Sequence, residues 1–129
     1  MRLVRERARE RCEYCRLPQA AFPFPFQLDH IQAEQHGGAT VESNLALACP
    51  PCNRHKGPNL AGLDLHSGQL IRLFHPRQDV WSEHFGWQGA ALVGKTAVGR
   101  VTVQVLAMNA PDQYIVREQL LQEGWLGDE

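Results

Sequence analysis

The stretch Ala48–Gly57, ACPPCNRHKG, decides how the rest of the chain is interpreted. It holds a Cys-x-x-Cys pair, Cys49 and Cys52, followed without a gap by polar and basic residues. Such a pair is typical of a redox site, of a disulfide framework or of half a metal site. Pro50 and Pro51 stiffen the turn between the two cysteines and remove backbone donors. The stretch alone leaves the three alternatives open.

The other two cysteines favour the metal site. They form a second Cys-x-x-Cys pair nearer the N-terminus, and 33 residues separate the two pairs. Each tight turn places two sulfurs on one side, and two turns complete a tetrahedron around zinc with bonds of about 2.3 Å. A thioredoxin-like site needs only one pair, so it does not explain the second. Because four thiolates leave no open position, this zinc is expected to stabilise the fold and not to perform chemistry. The predicted zinc ligands are Cys12, Cys15, Cys49 and Cys52.

Length and composition indicate an ordinary folded protein. The chain has 129 residues with 43% hydrophobic and 21% charged residues, which suits one compact domain over residues 1–129. No apolar run reaches the length of a membrane span, and the N-terminus has no apolar signal region, so we expect a cytoplasmic protein without a membrane partner. There, paired cysteines bind metal more often than they form disulfides.

Charge is distributed unevenly along the chain. The net charge is -1, which is unusual for a nucleic-acid binder. Residues 1–60 hold eight Lys/Arg and six Asp/Glu, whereas residues 61–129 hold five and eight. Any surface that binds a polyanion is therefore expected in the first half.

Apolar periodicity and turn residues predict a mixture of helices and strands. In the first half we expect a helix over 2–10, an extended loop over 19–26, a strand over 26–31, a glycine-rich turn over 35–40, a short helix over 42–49 capped by Ser43, and a helical turn over 53–57. In the second half we expect a hairpin around Ser67-Gly68 or an ordered loop, a short helix from residue 79, a strand over Trp87–Val93, and a helix from Pro111 to Glu123. Between Thr96 and Asn109 the pattern fits a helix or a strand through Val101, Val103 and Val105, and Thr96 as a cap and Asn109 as a stop favour the helix.

Between the two cysteine pairs, and directly after the second pair, lie residues suited to phosphodiester cleavage. That reaction needs a divalent metal at the phosphate and a base near neutral pKa that activates water. Asp29 and Asn53 offer hard oxygen ligands for Mg²⁺ or Mn²⁺, and His30 suits the base. In an ideal strand the side chains of Asp29 and His30 point to opposite faces unless the strand ends or bulges there.

The combined pattern CEYC…LDHI…HGG…SNLALACPPCNRHKG, over about residues 11–57, resembles the HNH endonuclease family in its zinc-containing ββα-metal form. The resemblance implies an α+β fold: a small ββα-metal core over about 11–60, stapled by the four-cysteine zinc site, with a mainly helical C-terminal extension over about 61–129. The stretches LFHPRQDVWSEHF and GKTAVGRVTVQVL are more weakly similar to segments that follow such cores in bacterial members.

The resemblance also implies roles by position. The catalytic residues would be His30, Asn44 and Asn53. His30 would be the general base, and Asn44 would brace the loop that holds it without touching the metal. Asp29 and Asn53 would ligate the catalytic Mg²⁺ or Mn²⁺.

Basic residues beside Asn53 would bind the substrate. Arg54 and Lys56 would contact the phosphate backbone, and His55 is an additional candidate for a metal ligand or a phosphate contact. His75, before Pro76, is a second-tier candidate for a substrate contact.

The predicted function is a metal-dependent endonuclease that hydrolyses phosphodiester bonds in DNA. The alternative is a non-catalytic zinc-ribbon module that binds nucleic acid or protein, which would need neither His30 nor Asn53. A thiol oxidoreductase is a third reading, which tightly held zinc would exclude. The net charge predicts weak DNA binding by the chain alone, or help from a homodimer or a protein partner.

Overall fold

The computed structural model describes residues 2–124. Within them the chain forms five α-helices and six short strands, and the strands pair antiparallel into three two-stranded sheets. This mixture confirms the predicted α+β class. No helix in this part of the chain is long and apolar enough to cross a membrane. The elements are α1 (Arg2–Ala8), β1 (Gln27–His30), β2 (Leu45–Ala48), α2 (Pro50–Lys56), β3 (Ala61–Leu63), β4 (Leu70–Arg72), α3 (Trp81–His84), β5 (Phe85–Gln88), β6 (Ala91–Gly94), α4 (Ala97–Val105) and α5 (Pro111–Gln122).

The first sheet and the helix after it form a ββα unit. β1 and β2 pair antiparallel, with His30 opposite Leu45. α2 follows β2 almost at once and begins with Pro50. Proline suits this position because a backbone N–H in the first turn of a helix has no partner within the helix, so its absence costs no hydrogen bond. The helix ends at Gly57, where φ is 50°. α2 packs against β1, so this unit matches the predicted core.

The prediction of a helix over 42–49 is wrong. A 3-10 turn at Glu42–Asn44 leads directly into β2, and Ser43 lies inside that turn instead of capping a helix. All four residues of β2 are buried. A strand that is buried on both faces loses the alternation of apolar and polar residues, so its sequence cannot be distinguished from a buried helix by periodicity.

α1 is attached to the ββα unit by apolar and basic side chains. Val4 and Ala8 are buried in the core, and the helix lies against β2. The Arg7 guanidinium donates to the carbonyl oxygen of Leu45 at 3.1 Å. Arg7, one of the basic residues of the first half, therefore helps to hold α1 on the β1–β2 pair.

The extension contains two hairpins in addition to its three helices. β3 and β4 form a hairpin with Gly68 at φ 76° in its turn, which decides between hairpin and loop. The strand expected over Trp87–Val93 is divided by a turn at Gly89, with φ 60°, into β5 and β6. α4 begins where the Thr96 hydroxyl accepts the N–H of Gly99 at 3.0 Å, as predicted for its cap. α5 also begins and ends close to its predicted limits.

The extension is fastened to the first Cys-x-x-Cys turn. The indole N–H of Trp81 donates to the carbonyl oxygen of Tyr14 at 2.8 Å, and the Arg16 guanidinium lies 4.9 Å from the centre of the Trp81 ring. Arg77 forms an ion pair with Glu13. The apolar core is continuous from β2 into the extension, and the four buried cysteines belong to it.

Candidate metal centre and active site

The four cysteines converge on one point. Cys12 and Cys15 lie on the turn after α1, Cys49 caps α2, and Cys52 lies in its first turn. All four side chains are buried, and their sulfurs lie within 4.8 Å of one another. Among residues 2–124 this is the group of three or more His, Cys, Asp or Glu side chains that could hold a metal ion.

The spacing of the sulfurs fits a tetrahedral ion. Four thiolates bound at about 2.3 Å from one centre would lie about 3.8 Å apart. The Sγ atoms of Cys15 and Cys49 are 3.7 Å apart. A disulfide would hold them at about 2.0 Å, and all four cysteines are free thiols. The donor set therefore suits a thiophilic ion with closed, tetrahedral coordination.

Thiol acidity points the same way. Burial raises the pKa of the Cys12 thiol, but hydrogen bonds from the neighbouring sulfurs outweigh it, and the pKa of Cys12 lies well below its usual value. Hydrogen bonds with the sulfurs of Cys12 and Cys15 raise the pKa of Cys49 and of Cys52. The cluster therefore accommodates one thiolate readily and further thiolates poorly, unless a divalent cation neutralises them.

A buried trio of side chains consists of Asp29, Tyr14 and Lys56, and the Asp29 side chain faces α2. The Tyr14 hydroxyl donates to Asp29 Oδ2 at 2.7 Å, and the Lys56 ammonium lies 3.2 Å from Oδ2 and 3.4 Å from Oδ1. Lys56 also donates to the carbonyl oxygen of His30 at 3.1 Å. Lys56 is only 1% exposed, so its ammonium contacts the protein interior, although the sequence suggested a phosphate contact.

Burial controls protonation within this trio. It raises the pKa of the Asp29 carboxyl, and the positive charge of Lys56 only partly counters that effect. Burial, followed by the negative charge of Asp29, raises the pKa of the Tyr14 hydroxyl well above its usual value. Tyr14 therefore remains a proton donor to Asp29 at neutral pH.

A second pair of side chains joins α2 to β1. The Asn53 amide donates to Gln27 Oε1. Asn53 and Lys56 are three residues apart on α2, and Gln27 and Asp29 are two apart on β1, so each set shares one face of its element. The structure therefore brings Asp29 and Asn53 to one helix–strand interface.

Arg54 and His55 lie on the other side of α2. Both are exposed, and neither side chain makes a hydrogen bond or ion pair with the part of the chain that the structure describes. They are the exposed basic residues next to the Asp29–Asn53 interface.

The loop between β1 and β2 is held closed by Asn44. Its Oδ1 accepts the N–H of Gln32 at 2.9 Å, and its amide N–H groups donate to the carbonyl oxygens of Gln32 and Ala39, both at 2.9 Å. The imidazole Nε2 of His30 lies 2.9 Å from the hydroxyl oxygen of Thr40 in the same loop. His30 thus contacts the loop, and no hydrogen bond among residues 2–124 joins its side chain to Asp29 or Asn53.

Sequence reasoning missed several residues around the two sites. Tyr14 and Thr40 hold the side chains of Asp29 and His30, and nothing local in the sequence reveals either partner. Arg117 of α5 is buried and donates to the carbonyl oxygen of Ala90 at 2.9 Å. Burial lowers the pKa of Arg117, whereas negative charge on the cysteines raises it.

Comparison with known families identifies the segment that carries both sites. Residues 12–59 match the family model described as HNH endonuclease. The resemblance found in the sequence is thereby confirmed over this segment, which contains all four cysteines, Asp29, His30, Asn44 and Asn53. Neither the curated proteins nor the solved structures gave a match to the chain. The match indicates a nuclease-type domain with a four-cysteine metal site.

Proposed function

We propose that this protein is a metal-dependent endonuclease that hydrolyses phosphodiester bonds in DNA. One observation carries the proposal. α2 docks on β1 through two side-chain pairs, Asn53 with Gln27 and Lys56 with Asp29. These pairs bring a carboxylate and an amide oxygen to one interface, beside the strand residue His30.

Asp29 and Asn53 are the proposed ligands of a catalytic Mg²⁺ or Mn²⁺. Carboxylate and amide oxygens are the donors that such ions prefer. Asp29 Oδ1 has only a long contact of 3.4 Å to Lys56, so it retains lone pairs for a ligand. Asn53 uses its amide N–H toward Gln27, which leaves its oxygen available. When bound, the ion would neutralise the phosphate and stabilise the leaving oxygen. His55 is an additional candidate ligand.

His30 is the proposed general base. A proton on Nε2, donated to Thr40, leaves Nδ1 with a free lone pair. Nδ1 can then take a proton from water as the water oxygen bonds to phosphorus and the P–O bond to the leaving oxygen breaks. The hydrogen bonds of Asn44 to the loop support its proposed role in bracing this geometry. Arg54 is the exposed residue proposed to contact phosphate, and Lys56 is proposed to hold Asp29.

Zn²⁺ is the proposed ion at the four cysteines. Closed four-thiolate coordination leaves no site for substrate, so zinc would fix the start of α2 and thereby the position of Asn53. With a net charge of -1, the protein is expected to bind DNA weakly alone, and a homodimer or a protein partner would strengthen binding.

One observation favours the alternative, a zinc-ribbon module that binds nucleic acid or protein without cutting. Asp29 is buried and already bonded by Tyr14 and Lys56. If Asp29 serves only to join β1 to α2, no catalytic ion binds there.

Plasmid relaxation distinguishes the two functions. Purified wild-type protein, His30→Ala and the control His66→Ala, whose side chain is exposed far from these sites in sequence, are incubated with supercoiled DNA and Mg²⁺ or Mn²⁺, and zinc is assayed in each sample. We expect wild type and His66→Ala to nick or linearise the plasmid and His30→Ala to leave it intact. Inert wild-type protein that holds one zinc would favour the binding module. Equal cutting by His30→Ala would show that His30 is not the base.

A further inference from the structure

The core and the extension enclose a cleft of about 270 Å³ next to the proposed active site. Asn44 and Lys56 line it from the core, and His75 and Gln78 line it from the extension. Asn59, in the segment that joins the two parts, completes the polar wall. The cleft therefore shares Asn44 and Lys56 with the site that the ββα unit forms.

The lysine and the arginine that line this cleft are both neutralised. Lys56 is paired with Asp29. Arg72 is paired with Asp79 through two contacts, 2.6 Å from Nη1 to Oδ2 and 3.0 Å from Nη2 to Oδ1. The electrostatic part of phosphate binding relies on lysine and arginine side chains that are free to pair with the phosphate. The cleft is therefore poorly suited to a phosphate.

Neutral polar groups in the cleft do have hydrogen-bonding capacity to spare. The side-chain amides of Asn59 and Gln78 make no hydrogen bond with residues 2–124. The Nδ1 atom of His75 accepts the backbone N–H of Arg77 at 3.1 Å, so in the neutral ring Nε2 carries the proton and is the donor. Burial lowers the pKa of His75, which favours that neutral form.

We propose that this cleft binds one unpaired base of the DNA strand beside the phosphate that is cut, and that Asn59, His75 and Gln78 recognise its edge. The proposal rests on the proposed nuclease function. Amide side chains offer the adjacent donor and acceptor that base edges match. The cleft is slightly smaller than the pockets of about 300–1,000 Å³ that hold drug-sized ligands, which suits a single base. Leu60, which is exposed in the same wall, offers apolar surface to the plane of the ring.

Equilibrium binding without cleavage tests the cleft. The His30→Ala protein, with its zinc retained and no Mg²⁺ added, is titrated into a short fluorescein-labelled single-stranded oligonucleotide. Asn59→Ala and Gln78→Ala are added together to this background, and the exposed Gln88, which does not line the cleft, provides the control Gln88→Ala. Zinc content and circular dichroism verify that each protein is folded.

We expect the double change in the cleft to raise Kd by about tenfold, the loss that follows from removing base-edge contacts. A Kd within about twofold of that of the Gln88→Ala control, about 0.4 kcal/mol, would overturn the proposal, and so would failure of the oligonucleotide to bind any of the proteins.

Cleavage assays with the same cleft changes in the wild-type background separate this proposal from the proposed function. If the wild-type protein cuts DNA but the cleft changes leave Kd unaltered, the cleft proposal is wrong and the nuclease stands. If the wild-type protein cuts no DNA but the cleft changes still weaken binding, the nuclease is wrong, and only the binding of a base by the cleft stands.

Discussion

Replacing Lys56 by methionine should destabilise the protein far more than replacing an exposed lysine. Methionine keeps most of the apolar stem but leaves the Asp29 carboxylate without its counter-ion. Two unit charges 3.2 Å apart attract by about 5 kcal/mol at an effective dielectric constant of about 20. The hydrogen bond from Tyr14 to Asp29 remains. We therefore expect Lys56→Met to lower the free energy of unfolding by about 3 kcal/mol, the lower end of the range for breaking a buried pair.

The effect has a defined pH dependence. Burial raises the pKa of Asp29 and the Lys56 charge lowers it, so Lys56→Met should raise this pKa further. The folded variant then binds a proton more tightly than the unfolded chain does. Its loss of stability should be complete above the folded pKa and should shrink as the pH falls toward the unfolded value of about 3.9.

Urea unfolding of the zinc-loaded proteins measures these differences, with Lys95→Met as the matched control. Lys95 is the only other lysine in the chain and is exposed, with one bond to the carbonyl oxygen of Ser82, so its loss should cost at most about 1 kcal/mol. Adding Asp29→Asn to Lys56→Met should recover part of the stability, because no unpaired carboxylate remains buried. Equal losses for Lys56→Met and Lys95→Met, or no recovery in the double variant, would refute the reasoning.

Three further changes probe other parts of the molecule. Cys15→Ser should abolish tight zinc binding and the cooperative unfolding transition, because folding and metal binding are coupled in such sites; zinc stoichiometry and thermal unfolding detect it, and a variant that kept one zinc and its transition would contradict the four-thiolate site. Gly38→Ala should reduce DNA cleavage more than a substitution on the protein surface does, because a Cβ there would lie 1.7 Å from the carbonyl oxygen of Gln32 and displace the loop; unaltered cleavage rates would argue against a role for that loop. Trp81→Phe should lower the free energy of unfolding by about 1–3 kcal/mol, since the buried carbonyl oxygen of Tyr14 loses its donor, and chemical unfolding that matched wild type would contradict this contact.

The parts of the fold that the sequence predicts well have explicit local signals. The two Cys-x-x-Cys pairs anticipated the cluster of four sulfurs. The Thr96 cap and Pro111 marked the starts of α4 and α5 because caps and proline act within one turn. Asp29 and His30 lie on a strand, as the alternating pattern of residues 26–31 indicated.

The remaining features depend on contacts that are distant in sequence. The sequence LALA of β2 does not alternate between apolar and polar residues because all four residues are buried, so its pattern is also typical of a helix. Only the pairing of this segment with β1 makes it a strand. The burial of Lys56 follows from Asp29, which lies 27 residues earlier. Periodicity reports which residues are apolar, but it cannot indicate that a basic residue on α2 has its counter-ion inside the protein.

Glu13 and Tyr14, the two residues between Cys12 and Cys15, limit how well residues 12–59 could fold outside this chain. Glu13 donates its backbone N–H to the carbonyl oxygen of Leu47, and its carboxylate accepts the Leu47 N–H and pairs with Arg77. The Tyr14 hydroxyl donates to Asp29, and the Tyr14 carbonyl oxygen accepts the indole N–H of Trp81. A fragment that ended at residue 60 would lack Arg77 and Trp81, so Glu13 and Tyr14 would lose these partners. Grafting the family-matching segment onto another protein would therefore require the recipient to supply an arginine and an indole in the same places. The extension therefore supports the turn that carries Cys12 and Cys15, and a shorter chain should hold a metal ion at the four cysteines less securely.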